Sequence, residues 1–410
     1  MINFLSSRTA TIAFILIAGL SGYSQPATSN ASRQQDSSQQ NSGTQSQDAQ
    51  VLVRQGQEYL RDRQYNEAME VLRRAIQIQP DLAVAHLQLG LTLLAVGRAE
   101  QAMAEMKRAI ELDPNDAHAY VGLGNAASAM RRYAEAIDAY KQAISLDSNY
   151  PAAYANLGQA YGITLRYQES AEAYQQALRI DPNNAGVLNG LGIAQFRLGQ
   201  HEEGIETLKR AVRINPRFAD AYLNLARWYE SLGRYEESVD AFTEVTRIIP
   251  KFPATYFERS TEYLYLGKGE AAAADARNFL ELTEWHSDRA EYMVIVATLG
   301  YRQAGKANEA KQILDLAAKR SNTLAWPYKL IMYLRGELTA EALLALATNN
   351  DRMTEAHGYI GMNLLLNDQQ QDALPHFSWV KEHGNKNFVE YKLALIQLNS
   401  SANSGASPKP

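Results

Sequence analysis

Cysteine is absent from all 410 residues. No disulfide, thiolate metal site, cysteine nucleophile or lipid-bearing thioether can therefore form. Histidine is scarce: the seven residues are scattered and no HExxH pair occurs. His201-Glu202-Glu203 lacks a second histidine four residues on, and His376 and His383 lie too far apart to chelate one ion without a third ligand. Neither a GxSxG elbow nor a phosphate-binding glycine loop is present; Gly122-Leu123-Gly124 falls inside a helical pattern. The expectation is a chain without catalytic residues, metal or cofactor. The formal charge of −5 comes with no long basic run, so nucleic acid is excluded as a partner class. Long apolar runs are also missing, the longest being Thr11 to Leu20, too short for a comfortable membrane span.

Met1 to Ser24 reads as a secretory signal: Arg8 supplies the positive charge, the apolar run follows, and small residues precede Gln25. Export to a bacterial periplasm or to the medium is expected, and a retained signal would keep the chain near a membrane. Leu20-Ser21-Gly22 resembles the start of a bacterial lipoprotein box, but Tyr23 stands where the lipidated cysteine belongs. Gln25 to Asp48 is rich in Gln and Ser with almost nothing apolar, which predicts a disordered linker.

What the chain does contain is a repeat. Count Pro151 as position 1: Tyr154, Leu157, Gly158 and Tyr161 then fall at 4, 7, 8 and 11, Tyr174 and Ala177 at 24 and 27, and Pro182 at 32. The first group shares one face of a first helix and the second group one face of a second helix. Small residues at 8 and 20 permit close backbone approach, and large ones at 4, 7, 11 and 24 fill the remaining space. The pattern returns at 34-residue intervals: Gly56 and Tyr59, Leu89 and Gly90, Leu123 and Gly124, Leu191 and Gly192, Leu225 and Ala226 on first helices; Leu72, Met106, Tyr140, Leu208 and Phe242 on second helices. Pro80, Pro114, Pro182, Pro216 and Pro250 close the periods, with Ser148 the exception.

These positions, agreeing in phase from Ala49 to Phe252, resemble the tetratricopeptide repeat (TPR) family. The resemblance implies an all-α, right-handed superhelical solenoid of stacked antiparallel helix pairs, with six repeats over residues 49–252. Residues 253–320 read as two degenerate repeats, in which Arg259 and Ser260 fall where an apolar and a small residue are expected. An insertion near Glu284-Trp285-His286-Ser287 restores the phase, with Trp285 either an interface aromatic or an exposed anchor. Residues 321–399 read as a shortened pair, a further pair carrying Ile360, Gly361, Ala373 and Phe377, and a capping helix from Phe388 to Leu398. The cap buries Phe388, Tyr391, Ala394, Leu395 and Leu398 and leaves Lys392 and Gln397 off that face; a disordered tail follows from Ser400.

The C-terminal part also resembles bacterial envelope TPR lipoproteins of the NlpI type, through Glu355-Ala356-His357, Tyr359-Ile360-Gly361 and Asn387-Phe388-Val389-Glu390-Tyr391. Proteins of that type are adaptors that bring envelope enzymes together. The TPR resemblance implies that positions 2, 5, 9 and 12 line a concave groove. The candidate partner-binding residues are Leu87, Leu91, Asn125, Gln159, Asn189, Phe196, Arg227 and Phe257, with Asn156 and Asn224 at position 6. Peptide-binding arrays of the family hold a main chain through an asparagine amide at position 6, which is both donor and acceptor. The expected partner is a peptide or protein. Tyr65, Tyr133, Tyr167 and Tyr235 at position 17 either seal neighbouring repeats or support a homo-oligomer.

Overall fold

The structure, a computed structural model, describes residues 37–321 and 324–403. The predicted signal lies outside the described residues. Every described regular element is an α-helix, and the chain divides into two compact units at Pro216 and Arg217, inside the run of regular repeats. The first unit holds α1 (Ser37–Arg61), α2 (Tyr65–Ile78), α3 (Ala83–Ala95), α4 (Ala99–Leu112), α5 (Ala117–Ala129), α6 (Tyr133–Leu146), α7 (Pro151–Ile163), α8 (Tyr167–Ile180), α9 (Ala185–Arg197) and α10 (His201–Ile214). The second holds α11 (Ala219–Ser231), α12 (Tyr235–Ile248), α13 (Pro253–Tyr265), α14 (Gly269–Leu282), α15 (Ala290–Gln303), α16 (Ala307–Arg320), α17 (Trp326–Leu334), α18 (Ala340–Leu346), α19 (Asn350–Leu365), α20 (Gln370–His383) and α21 (Val389–Asn403). Within each unit consecutive helices pair and stack, as the TPR pattern requires.

The glycine at position 8 sets the closeness of each pair. A Cβ built on Gly56 would sit 2.6 Å from the Leu72 side chain, on Gly90 2.8 Å from Met106, and on Gly158 2.9 Å from the Tyr174 ring. Gly124 meets Tyr140 in the same way. The large partners are almost fully buried: Leu72, Met106 and Phe242 expose nothing measurable. Burial of one such side chain contributes about 1.5–3 kcal/mol. At position 20, Ser170 and Ser238 stay small and donate their hydroxyls to the first-helix carbonyls of Gly158 (2.7 Å) and Ala226 (2.8 Å). Second helices end two residues before the period-closing proline, with the residue between them as C-cap; α6 ends at Leu146 without a proline, and the Asp147 carboxylate there accepts from the Asn149 N–H at 2.9 Å.

Position 15, between the two helices of a pair, is left-handed throughout. Gly97, Gly199, Gly233 and Gly267 supply it with φ between 70° and 81°, but Arg63, Arg131 and Leu165 are forced to φ of 60° to 64°. A side chain there costs about 1–2 kcal/mol.

Two boundaries differ from the sequence reading. The segment to Asp48 is helical from Ser37, because α1 is nucleated by its packed half, where Ala49 and Val53 are buried, and extension costs little once a helix exists. The final helix runs on to Asn403, past Ser400, for the same reason. At the predicted insertion the chain leaves α14 with Glu284 and Trp285 both at positive φ, and Trp285 packs against the core of the second unit.

Gly158→Val is expected to overpack the Tyr174 contact and lower stability by about 1–3 kcal/mol, read from denaturant unfolding of the full chain. Leu165→Gly should act in the opposite direction. Relief of the left-handed strain, less the entropy cost of glycine, predicts a gain of about 0.5–1 kcal/mol in the same measurement.

Candidate binding surface on the first helices

In the first unit the helices α3, α5, α7 and α9 lie side by side, each touching the next. Their residues at position 5 turn inward: Leu87 is 1% exposed and Asn189 7%. Position 6 faces the second helix of the preceding pair, since Gly122 there abuts Met106 and Gly190 abuts Tyr174. Asn156 occupies the same place and is buried; its Nδ2 donates to Asn125 Oδ1 at 2.9 Å, and the Tyr140 hydroxyl donates to that oxygen at 2.8 Å. Leu87, Asn156 and Asn189 are thus part of the packing between repeats, a correction to their reading as groove residues. Asn224, at position 6 of α11, is half-buried.

Position 9 remains accessible. Leu91, Asn125, Gln159 and Ile193 are half-buried and form an uncharged row across the four first helices, with Phe196 one turn further along α9, its ring 4.4 Å from that of His201. The Gln159 amide makes no hydrogen bond among the described residues, and Asn125 uses only its oxygen.

The second unit is built differently. Arg227 on α11 forks onto Glu258 of α13 at 2.9 and 3.1 Å, and Phe257 lies under the Arg289 guanidinium at 4.5 Å. Arg259 is buried and donates to both oxygens of Asp275 at 2.7 and 2.8 Å, with Thr243 and Thr246 accepting from its remaining N–H groups. The polar residue at an apolar position is therefore fully paired. Its carboxylate lies on the following helix, 16 residues away.

Three further carboxyls are buried. Glu262 is 1% exposed; its Oε1 lies 2.8 Å from the Ser238 hydroxyl, whose one proton goes to the Ala226 carbonyl, while Oε2 has no partner. Burial pushes this carboxyl up to about 8, assisted by the negative charge of Glu230. Glu355 accepts from the Tyr292 hydroxyl at 3.0 Å and the Trp326 indole N–H at 2.6 Å, and Glu390 of α21 is 3% exposed. Burial raises Glu355 and Glu390 alike, and for Glu355 the charge of Glu390 adds to it. Sequence reasoning missed the burial of these acids, although Glu355 and Glu390 stand in C-terminal stretches that it singled out.

The capping helix also makes a contact from its polar side. Lys392 donates to Glu230 Oε1 of α11 at 2.5 Å, Leu393 and Ala394 are buried, and α21 packs against α13, α19 and α20.

Elsewhere, His357 and His376 approach with their Nδ1 atoms 2.9 Å apart, and His357 stacks on Trp379 at 4.3 Å; burial holds His357 down to about 4, so it is neutral. Among the described residues no group of three or more His, Cys, Asp or Glu side chains is placed to hold a metal ion. An open cleft of about 640 Å³ lies beside Arg302, whose guanidinium is bonded to Asn363 and to the Leu334 carbonyl. No described helix is long and apolar enough to cross a membrane.

The raised carboxyl of Glu262 fixes a pH dependence. The folded state holds its proton more tightly than the unfolded state, so stability is full below about pH 4.5 and is lost as the pH rises to about 8. Glu262→Gln should flatten that slope and raise the melting temperature at pH 8, measured by calorimetry on the full chain across this range.

Residues 16–251, more than half of the chain, match the family described as the cilia and flagella-associated protein 70 C-terminal domain, a TPR domain. Among solved structures, the chain is similar to YrrB, described as a TPR protein with an unusual peptide-binding site: 25% identity over 44% of this chain and 93% of that one, TM-score 0.39. PilF of Pseudomonas aeruginosa aligns at 20% identity over 51% of this chain and 95% of its own, TM-score 0.45. PilW, described as a type IV pilus biogenesis factor, aligns at 20% over 52% and 98%, TM-score 0.47. A search of curated proteins finds no match. The chain belongs to the tetratricopeptide-repeat family described as the cilia and flagella-associated protein 70 C-terminal domain.

Proposed function

We propose that this protein is a non-catalytic scaffold that holds an extended segment of a partner protein along the first helices of its first unit. The observation that carries this reading is the row at position 9, where Leu91, Asn125, Gln159 and Ile193 present apolar contacts at its two ends and uncommitted amide groups between them. An extended chain carries a donor and an acceptor at every residue, so amides that offer both, spaced one repeat apart, suit a main chain better than a charged side chain. Phe196 adds a ring for an apolar side chain of the ligand. The accessible row carries no charge, which favours a neutral peptide over an acidic tail. Arg227, the cation suited to an acidic ligand, is committed to Glu258.

The leader-like Met1 to Ser24 supports a place of work outside the cytoplasm, in a bacterial envelope. The stretches around Glu355 and Phe388 support an adaptor of the NlpI type, which collects envelope enzymes. Such a role needs recognition and spacing but no reactive group.

The test is capture of partners from an envelope extract by cross-linking, with the Asn125→Ala, Gln159→Ala double variant alongside. Each amide hydrogen bond contributes about 1 kcal/mol, so the double variant should bind any captured partner about tenfold or more weakly. Equal capture by both forms would remove the position 9 row as the binding surface. Attachment of residues 1–24 to a reporter tests export directly, and a reporter retained in the cytoplasm would end that part of the reading.

A further inference from the structure

The first-helix face of the second unit is already occupied by the chain itself. Helix α21 lies against α13, and its Lys392 reaches Glu230 at position 12 of α11, 162 residues earlier in sequence. Under it the surface is acidic. Glu230, Glu258 and Glu262 all act on the same locality, and Lys392 is the cation of α21 that answers them. The match is incomplete. The Lys392 ammonium is spent on Glu230, Arg227 is spent on Glu258, and Glu262 keeps one carboxyl oxygen buried with no partner at all. A buried polar atom without a partner is costly. A guanidinium carries five donors in a planar fork where an ammonium has three about a point, so an arginine in place of Lys392 could serve two carboxyls at once.

We propose that this acidic face is a docking surface for an arginine-bearing amphipathic helix of a partner protein, and that α21 is its resident, lower-affinity occupant. The proposal rests on the reading that first helices bind partners, but it concerns the other unit and a helical, basic ligand in place of an extended, neutral one. The resident helix is tethered, so its effective concentration is high and a competing helix must bind better than α21 does. The unpaired oxygen of Glu262 is the feature through which a partner could do so.

The test uses the full chain and fluorescent peptides with the sequence of residues 386–403, carrying either the natural lysine or an arginine at the place of Lys392. Against the wild-type chain the arginine peptide should bind at least tenfold more tightly than the lysine peptide. Lys392→Glu sets the resident helix against Glu230, so both peptides should bind that chain at least tenfold more tightly than they bind wild type. The charge swap Lys392→Glu with Glu230→Lys should restore the resident contact and return binding to the weak, wild-type level.

Hydrogen exchange guards against general unfolding: in Lys392→Glu, exchange should accelerate over residues 389–403 and stay unchanged over 219–383. Faster exchange throughout the unit would mean that α21 is a fixed keystone, which overturns the proposal. So would peptide affinities that do not differ between lysine and arginine, or that ignore Lys392→Glu. A stable dimer of the Lys392→Glu chain would give the surface to a second copy and likewise overturn the partner assignment. The Asn125→Ala, Gln159→Ala variant should bind these peptides as wild type does, which separates this outcome from the fate of the extended-peptide reading.

Discussion

The contact between the glycine at position 8 and the large side chain at position 24 governs this architecture. Gly56 against Leu72, Gly90 against Met106, Gly158 against Tyr174 and Gly361 against Phe377 are the same contact made with four different large residues. Because the space above the glycine is already filled, the distance between paired helices is set by the large residue and not by chance collapse. The same large residue also meets the next repeat: Gly122 seats on Met106 and Gly190 on Tyr174, from position 6 of the following first helix. One side chain therefore fixes the pair and the stacking of pairs together. Stability then spreads along the chain through nearest neighbours, which is why a single overpacked glycine is felt locally and need not unfold the distant repeats.

Where that contact is abandoned, charge takes its place. In the repeat of α13 and α14 position 24 is Ala276, too small to fill the seat, and the volume goes to Arg259 with Asp275, Thr243 and Thr246 around it. A buried ion pair of this kind rarely stabilises more than an apolar residue of the same volume, but it cannot be rearranged cheaply. The same region carries Glu262, Glu355 and Glu390, all buried and all pushed toward the protonated form by that burial. The second unit thus departs from the apolar economy of the first in one consistent direction, toward acids.

Helix pairs, the insertion near Trp285 and the shortened pair of α17 and α18 were legible because each is a local matter of spacing and residue size. Periodicity says which side of a helix a residue occupies, but not how deep it lies. Leu87 and Leu91 share a side of α3, yet one is sealed and the other accessible, since the neighbouring helix pair covers only position 5. Asn156 looked like a hook for a peptide because the amide chemistry fits; its actual partner, Asn125, sits 31 residues back on the preceding first helix. The sequence puts Lys392 off the apolar face of the cap but cannot name its partner, since Glu230 is 162 residues away and no pattern links them. Helix ends failed for another reason: at Ser37 and Asn403 polar sequence continues a helix that packing elsewhere has already nucleated.

The two units therefore turn the same scaffold toward different chemistry. At position 9 of α3 to α9 the exposed row is neutral, and its polar groups are amides that can both donate and accept. On α11 and α13 the corresponding face holds Arg227, Glu230 and Glu258, with ion pairs already made. A neutral amide binds a main chain whatever its side chains are, whereas a partly satisfied acid discriminates sharply, because a ligand lacking the cation leaves a carboxyl buried and unpaired. Under the binding roles proposed for them, permissive recognition in one unit and selective recognition in the other would follow from which residues occupy a few first-helix positions, while the glycine contact that builds both scaffolds stays the same.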